Sequence, residues 1–470
     1  MPQPRSRARS LTLGLVSSLV MWLVGAVLVQ PPPLAHAAEL PPYRPTRMDP
    51  VQPALEIEEI RFEGKTRTRE RLALQVAGVA VGDSTSAASL QAAGTRLADS
   101  PLFHSCTLRI LPGSRRGLVI VVFEVEESRP HLRFGVGYEE LGGWFLEPAQ
   151  LRMDNLTGRG EEFALAFRLG WRNAGLHLDW THRSFREPMR YWGFGLHSET
   201  QSRLYFADGA EIAHPVARGS VELTAGVPLY SKLGLRLSAR TETVRPDSSA
   251  KLNVEASDGR GAGTFVPTEE LPNEIQGALG ERKRTWLGAS VVLDRRRGSG
   301  LARTGLWGDA GYEVALSRDD RTIHHAHLDA RGYLPRARWQ LASRVAVESV
   351  SEAAPFYDRP YLGGLYAVRG YPSHALSPAG GDLVRATGSI EIRTPLYGAG
   401  PHPRVVGLAF LDVGVSSDRS GESTTAVGVG YGWRVRIPWL GHLGFDVGIP
   451  LSDSPVDEAF HGNVSLGWTY

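Results

Sequence analysis

The chain has one cysteine, Cys106, and only four lysines among 470 residues. A single cysteine excludes a disulfide framework and a Cys-rich zinc site. Neither sign of charge is in excess: 52 Lys+Arg face 50 Asp+Glu, a formal +2, so no global basic field exists to hold nucleic acid. Long apolar runs are also scarce. Beyond Leu11–Val29 no stretch approaches the roughly 18 residues of a membrane helix. No G-x-S-x-G, Walker or G-x-G-x-x-G motif stands in a strand-to-helix context, which leaves no hydrolase or nucleotide site to argue for. What remains open is a soluble exported protein or a membrane β-barrel, whose lipid face occupies alternate residues and averages out of any hydropathy sum.

The N-terminus has the form of an export signal. Arg5, Arg7 and Arg9 precede the uncharged run 11–29, then Pro31–Pro33 and the small-residue site Ala35-His36-Ala37. A basic n-region, an apolar h-region and an A-x-A site predict a signal peptide over 1–37; the competing reading is an uncleaved membrane anchor. Removal of those residues would take three Arg and no acid, moving the formal charge from +2 to −1. Residues 38–54 read as a Pro-rich linker, with five prolines between 39 and 54.

Residues 55–128 form a small unit. Leu55–Phe62 alternates as a strand and Gly64-Lys65-Thr66 is a turn. Arg67–Ala77 and Ser86–Ala98 are helical, the second with Ala87, Leu90, Ala93, Gly94 and Leu97 on one face. Cys106–Leu111 and Leu118–Glu127 alternate as strands about Pro112-Gly113. The order strand-helix-helix-strand-strand predicts a three-stranded sheet with two helices on one face and no catalytic group.

From His131 onward the texture changes to alternating segments of about ten residues separated by Gly-, Pro- and Asp-rich turns. Phe163, Leu165, Phe167, Leu169 and Trp171 share one face against Ala164, Ala166, Arg168 and Gly170. Val427, Val429, Tyr431, Trp433 and Val435 oppose Gly428, Gly430, Gly432, Arg434 and Arg436. The final segment, 462–470, places Leu466, Trp468 and Tyr470 on its apolar face, the pattern of a C-terminal strand signal. Aromatics at segment ends and a Gly/Arg polar face favour a barrel with its apolar face in lipid over a soluble sandwich. About 16 segments are counted between 131–139 and 462–470, which predicts an antiparallel transmembrane β-barrel over 131–470. An even count puts both barrel ends on one side and the long stretches 246–283 and 351–382 on the other.

One loop carries a family resemblance. Residues 361–371 read Tyr-Leu-Gly-Gly-Leu-Tyr-Ala-Val-Arg-Gly-Tyr. This resembles the LGG…VRGY signature of the BamA/TamA outer-membrane assembly superfamily, the bacterial surface antigen family. Asn155-Leu156-Thr157-Gly158-Arg159-Gly160, Asp294-Arg295-Arg296 with Thr304-Gly305, Ser389–Pro395 and Phe410–Gly414 resemble further motifs of that family in the same order. Residues 55–128 resemble a polypeptide-transport-associated (POTRA) domain, including Phe62-Glu63-Gly64-Lys65-Thr66. There is room for one such domain where the family's general assembly factors carry several, which favours a specialised or accessory role.

Period 2 places Arg385, Thr387, Ser389, Glu391 and Arg393 on one strand face, and Asp412 on the lumen face of the next strand with Phe410 and Gly414. Glu391 and Asp412 are therefore two lumen carboxylates on neighbouring strands. They either solvate the lumen beside Arg434 and Arg436 or take a cation. The resemblance implies that Arg369 pairs with them, in a loop lock whose motif is Gly363, Gly364, Val368, Gly370 and Tyr371. It also implies a protein of the outer membrane, with its POTRA domain in the periplasm, that assembles, inserts or translocates polypeptides without covalent chemistry. The expected partners are a client polypeptide, outer-membrane lipids and accessory periplasmic proteins, with no nucleic acid, cofactor or metal. His324, His325 and His327 lack a defined ligand set and are assigned no metal. The alternatives are a passive channel and a dedicated single-client exporter.

Overall fold

A computed structural model describes residues 55–129, 131–139, 143–184, 187, 189–207, 210–253, 259–317, 321–437, 441–452 and 459–470. The expected signal peptide and linker lie outside these residues.

The N-terminal unit runs β1 (Leu55–Glu63), α1 (Glu70–Ala77), β2 (Ser84–Thr85), α2 (Ala87–Ala98), β3 (Phe103–Pro112) and β4 (Leu118–Glu127). The sheet order is β2-β1-β4-β3, with β1 parallel to β4. The expected three strands are four, because Ser84 and Thr85 pair with Glu56 and Leu55 across the edge of β1. So short a strand has no legible alternation. Gly78 at φ 64 ends α1, and the Ser86 side chain caps α2 by accepting from Ser89 N. Ile57, Leu72, Ala73, Leu90, Leu97, Val121 and Phe123 pack into one core between helices and sheet.

From residue 131 onward the described residues build a closed antiparallel sheet. Its strands are β5 (His131–Glu139), β6 (Gly143–Asp154), β7 (Glu161–Gly170), β8 (Asn173–Arg183), β9 (Tyr191–Ala207) and β10 (Ala210–Tyr230). They continue with β11 (Leu233–Pro246), β12 (Ala250–Leu252), β13 (Phe265–Val266), β14 (Arg282–Asp294), β15 (Gly305–Ser317) and β16 (Ile323–Arg336). The series ends with β17 (Trp339–Val350), β18 (Val384–Tyr397), β19 (Val405–Ser417), β20 (Ser423–Ile437), β21 (Gly441–Pro450) and β22 (His461–Leu466). The order closes β22 onto β5. Among the described residues β12 and β13 form a short hairpin in the β11–β14 connection, and the other sixteen strands make the wall.

Burial decides between sandwich and membrane barrel, because it is inverted. Apolar Leu169, Trp171, Leu223, Leu237, Leu287, Trp433 and Ile449 are exposed, whereas Glu242, Arg284, Asp309, Glu391, Arg434 and Asp446 are buried. A water-soluble sheet would do the reverse. Trp192, Tyr230, Trp339 and Tyr397 stand exposed at strand ends near the N-terminal unit, where an interfacial girdle belongs.

At the opposite end the 246–283 and 351–382 connections share one apolar core. Val244, Leu252, Val266 and Ile275 pack there with Phe356, Tyr357 and Tyr361. At the near end the N-terminal unit is joined to the β6–β7 turn. Asn155 (φ 68, buried) donates from Nδ2 to Thr68 Oγ1 at 2.8 Å and accepts from Gly160 N at 2.8 Å. Arg69 N donates to Gly158 O at 2.9 Å. The Thr66–Thr68 segment is held in turn by Glu127, which accepts from Thr66 Oγ1 at 2.7 Å, Arg67 N at 3.0 Å and Thr68 N at 2.5 Å. Burial works against the charge on Glu127, but the hydrogen bonds from Thr68, Thr66 and Arg67 outweigh it and hold the carboxyl at about 2.

Candidate functional site: a loop seated in the barrel lumen

After β17 the chain turns back into the barrel. Residues 351–382 contain no strand but are largely buried, so their polar groups must find partners in the lumen wall. Arg369, only 1% exposed, is bonded to two strands at once. Its Nη1 donates to Glu391 Oε1 on β18 at 2.7 Å, and its Nε and Nη2 donate to Asp412 Oδ2 and Oδ1 on β19 at 2.7 and 2.9 Å. Its own backbone N adds a bond to Asp412 Oδ2 at 3.1 Å, and Nη2 reaches Ser389 Oγ at 3.2 Å. The guanidinium plane lies over Phe410, with Cζ 3.6 Å from the ring centroid. Asp446 on β21 is 3.7 Å from Nη1 and is itself gripped by Arg434 through two bonds of 2.8 Å.

The strand register builds this constellation. Glu391 stands opposite Phe410, and Ser389 opposite Asp412, so two steps of the ladder bring both acids under one planar fork. A compact ammonium could not address both.

Room for the loop is cut into the wall. A Cβ on Gly428 of β20 would lie 1.9 Å from Arg369 O, so any side chain there would collide with the loop backbone. Gly370 has φ +104, a conformation that reverses the chain directly after Arg369. Val368 and Tyr371 are fully buried in a small core with Leu362, Ala367, Leu376 and Ala426. The Tyr371 hydroxyl lies 2.6 Å from Ser452 Oγ. Gly363 and Gly364, at φ +103 and +98, form the turn at the start of the motif. Arg369, Glu391, Asp412 and the five motif residues are thus brought together.

The C-terminal trio is not. Leu466 ends β22, Gly467 adopts φ +87, and Trp468 and Tyr470 leave the sheet. The expected strand to residue 470 stops four residues early. Tyr470 lies buried inside the lumen rather than against lipid, because the Arg393 guanidinium offers both rings a cationic partner, at 4.5 Å from Trp468 and 5.1 Å from Tyr470.

A second anchor has no counterpart in the sequence reading. Asp358, at the start of the loop, is 2.6 Å from Arg284 Nη1 and 3.1 Å from Arg218 Nη2. Both arginines also hold buried Glu242, at 2.7 and 3.0 Å, and Trp286 Nε1 donates to the same carboxylate at 2.7 Å. Glu242 and Arg284 are direct cross-strand neighbours. Alternation places each in the lumen, but only the register and the fold of the loop bring Asp358 to them. β15, β16 and β17 separate this wall from the Arg369 seat, so the loop crosses the lumen as a chord between two anchors.

His325 and His327 face the lumen, paired with Glu348 at 3.2 Å and Asp309 at 3.5 Å, whereas His324 bonds Tyr312 at 2.5 Å. Among the described residues no group of three or more His, Cys, Asp or Glu is placed to hold a metal ion.

Together these features define a transmembrane β-barrel of the outer-membrane kind, with an α+β unit at one end and a long loop bonded into its lumen. The chain belongs to the Omp85 superfamily, whose domain model matches residues 155–470. It is similar to the outer membrane protein assembly factor BamA of Nitratidesulfovibrio vulgaris, at 24% identity over 432 residues, covering 86% of this chain and 50% of that protein. It therefore spans about half the length of that relative. In fold it resembles BamA from Haemophilus ducreyi lacking POTRA domains 1–3, with TM-score 0.65 and 15% identity over 87% of this chain and 84% of that one. CdiB from Acinetobacter baumannii also matches, with TM-score 0.53 and 12% identity over 88% and 74% of the two chains. The protein is an outer-membrane β-barrel.

Proposed function

We propose that this barrel assembles, inserts or translocates polypeptides at the outer membrane, with residues 55–128 as a periplasmic POTRA domain that meets the client first. The carrying observation is the loop bonded across the lumen, at Asp358 on one wall and at Arg369 on another. A passive pore gains nothing from a buried ionic lock across its own bore. A protein that must stay sealed until a client arrives does. In this reading Arg369, Glu391 and Asp412 are the lock that keeps the loop seated, and no covalent chemistry is involved. The chain's similarity to an assembly factor supports the same reading.

The strand-level mechanism follows from backbone accounting. In lipid every strand edge must be paired, so a short last strand meeting the first is the natural place to exchange partners with a client strand. β22 has six residues, and Gly462 on it with Gly135 and Gly137 on β5 contributes no side chain to the seam. A groove of about 760 Å³ runs beside the joint, lined by Phe103 and His104 of edge strand β3 and by Arg152 and Asp154 of the barrel. It offers an extended chain a path from the α+β unit to the wall.

The test compares two activities of the purified protein. In liposomes, the wild type should accelerate insertion of an unfolded outer-membrane protein; in planar bilayers it should conduct poorly. High steady conductance without any acceleration of insertion would establish the passive channel instead.

A further inference from the structure

Beyond the loop lock, residues 467–470 share the lock's own carboxylate. Thr469 Oγ1 donates to Glu391 Oε1 at 3.0 Å, the same oxygen that Arg369 Nη1 reaches at 2.7 Å. The other oxygen, Oε2, is taken by Arg393 Nε at 2.7 Å. Arg393 then extends Nη2 to Tyr470 O at 3.2 Å and lies over both neighbouring aromatic rings. The Tyr470 hydroxyl reaches Ser389 Oγ at 3.3 Å, and Ser389 Oγ donates to Asp412 Oδ1 at 2.6 Å. Each of the two lock carboxylates is therefore linked to both the loop and the tail.

The two segments also cover each other. Leu365, Tyr366, Ala367 and Arg369 of the loop face Thr469 and Tyr470 across a void of about 10 Å³. That is at the lower limit for holding one water. The bend that sends the tail there is made at Gly467, at φ +87, with open space around its Cα. Had the strand continued, Trp468 and Tyr470 would follow Leu466 onto the lipid face, where such rings are well placed. They sit in the lumen instead.

We propose that residues 467–470 are a latch that completes the loop's seat, so that release of the loop and release of the last strand's end are one coupled event. The inference rests on Arg369 holding the loop. The physical link is mutual shielding. With the loop withdrawn, water reaches Glu391 and competes with the Thr469 hydroxyl. With the tail withdrawn, water reaches the Arg369–Glu391 pair and weakens it by raising the local dielectric. Because such coupling is reciprocal, each release should favour the other by the same factor. The seam strand is thereby tied to the state of a loop that enters from the opposite side of the membrane.

Hydrogen exchange of the full-length protein in nanodiscs, read by mass spectrometry, tests this. Trp468→Ala removes a ring that packs on Arg393, Arg434 and His442, and should speed exchange across 361–373 by a factor of about 5–150, the usual range of intramolecular coupling. Arg369→Ala should speed exchange across 461–470 by a similar factor. Asp358→Asn should loosen the loop's base and leave 461–470 unchanged. Tyr470→Ala provides a second release of the tail, and heat-modifiable migration reports that each barrel is folded. If Trp468→Ala and Tyr470→Ala leave 361–373 as protected as in the wild type, the latch is overturned while the lock stands. If Arg369→Ala does not loosen 361–373 itself, the lock reading is what fails.

Discussion

Removing the Arg369 side chain should unseat the loop while leaving the barrel closed. The cost is unevenly shared among the acids it touches. Glu391 keeps Arg393, at 2.6 Å, and Asp446 keeps Arg434, at 2.8 Å. The ion pair of Asp412 among the described residues is with Arg369, at 2.7 Å, so Arg369→Ala leaves a carboxylate with a 2% exposed side chain, without a cation and bonded to Ser389 and to the backbone N of residue 369. Stranding a buried charge costs on the order of 3–5 kcal/mol, less where water can enter. At about 1.4 kcal/mol per decade, the upper range shifts the seated-to-released ratio by roughly two to three and a half decades. Limited proteolysis of the refolded protein in detergent reads that ratio directly as the cleavage rate within 361–373. Arg369→Lys should recover little, since an ammonium cannot serve Glu391 and Asp412 together. Arg369→Ala combined with Asp412→Asn should be less impaired than Arg369→Ala alone, because the stranded charge is gone. Adding Arg369→Ala to Glu391→Gln/Asp412→Asn should do little more. Strict additivity in that triple variant, or no recovery in the double, would falsify the lock.

Gly428→Ala changes no charge but places a Cβ 1.9 Å from Arg369 O, so it should raise loop cleavage as Arg369→Ala does, with heat-modifiable migration unaltered. Gly158→Ala should loosen the joint between the N-terminal unit and the barrel: a Cβ there would lie 2.1 Å from Arg67 O, at φ +82, and the backbone strain alone costs about 1–3 kcal/mol. Spin-label distances between the two units should broaden, and unchanged distributions would count against a stiff joint. The Glu127 carboxyl, held at about 2 against an ordinary 4.5, should contribute stability that is complete above the ordinary value and fades as pH falls from there toward 2. Proteolysis between 62 and 70 should accelerate over that interval in the wild type, and Glu127→Gln should be fast and pH-independent; a flat wild-type profile would remove Glu127 as the clasp.

The strand wall was legible because its physics is local. Alternation of apolar and polar side chains has the period of the pleat, so Phe163–Trp171 or Val427–Val435 announce both a strand and its two faces, and turn residues mark where each ends. The same periodicity put Glu391 and Asp412 in the lumen. It could not say that Glu391 stands opposite Phe410 and Ser389 opposite Asp412, because register belongs to two strands at once. Ser84–Thr85 was invisible for the opposite reason, being too short to have a period. Arg369 entered through a likeness of motif rather than from its surroundings in the chain. Nothing local to Asp358 distinguishes it from a solvated loop acid, and its partners Arg218 and Arg284 lie more than seventy residues away. The tail misled most. Leu466, Trp468 and Tyr470 have the alternation of a lipid-facing strand, and within a strand that would decide their side. A glycine at φ +87 breaks the strand between them, and Arg393, brought near by the closing of the barrel, supplies the cation that makes the lumen the better place for both rings. Side-chain pattern fixes which face a residue takes while the strand continues; only the closed barrel decides where it stops and what waits on the inside.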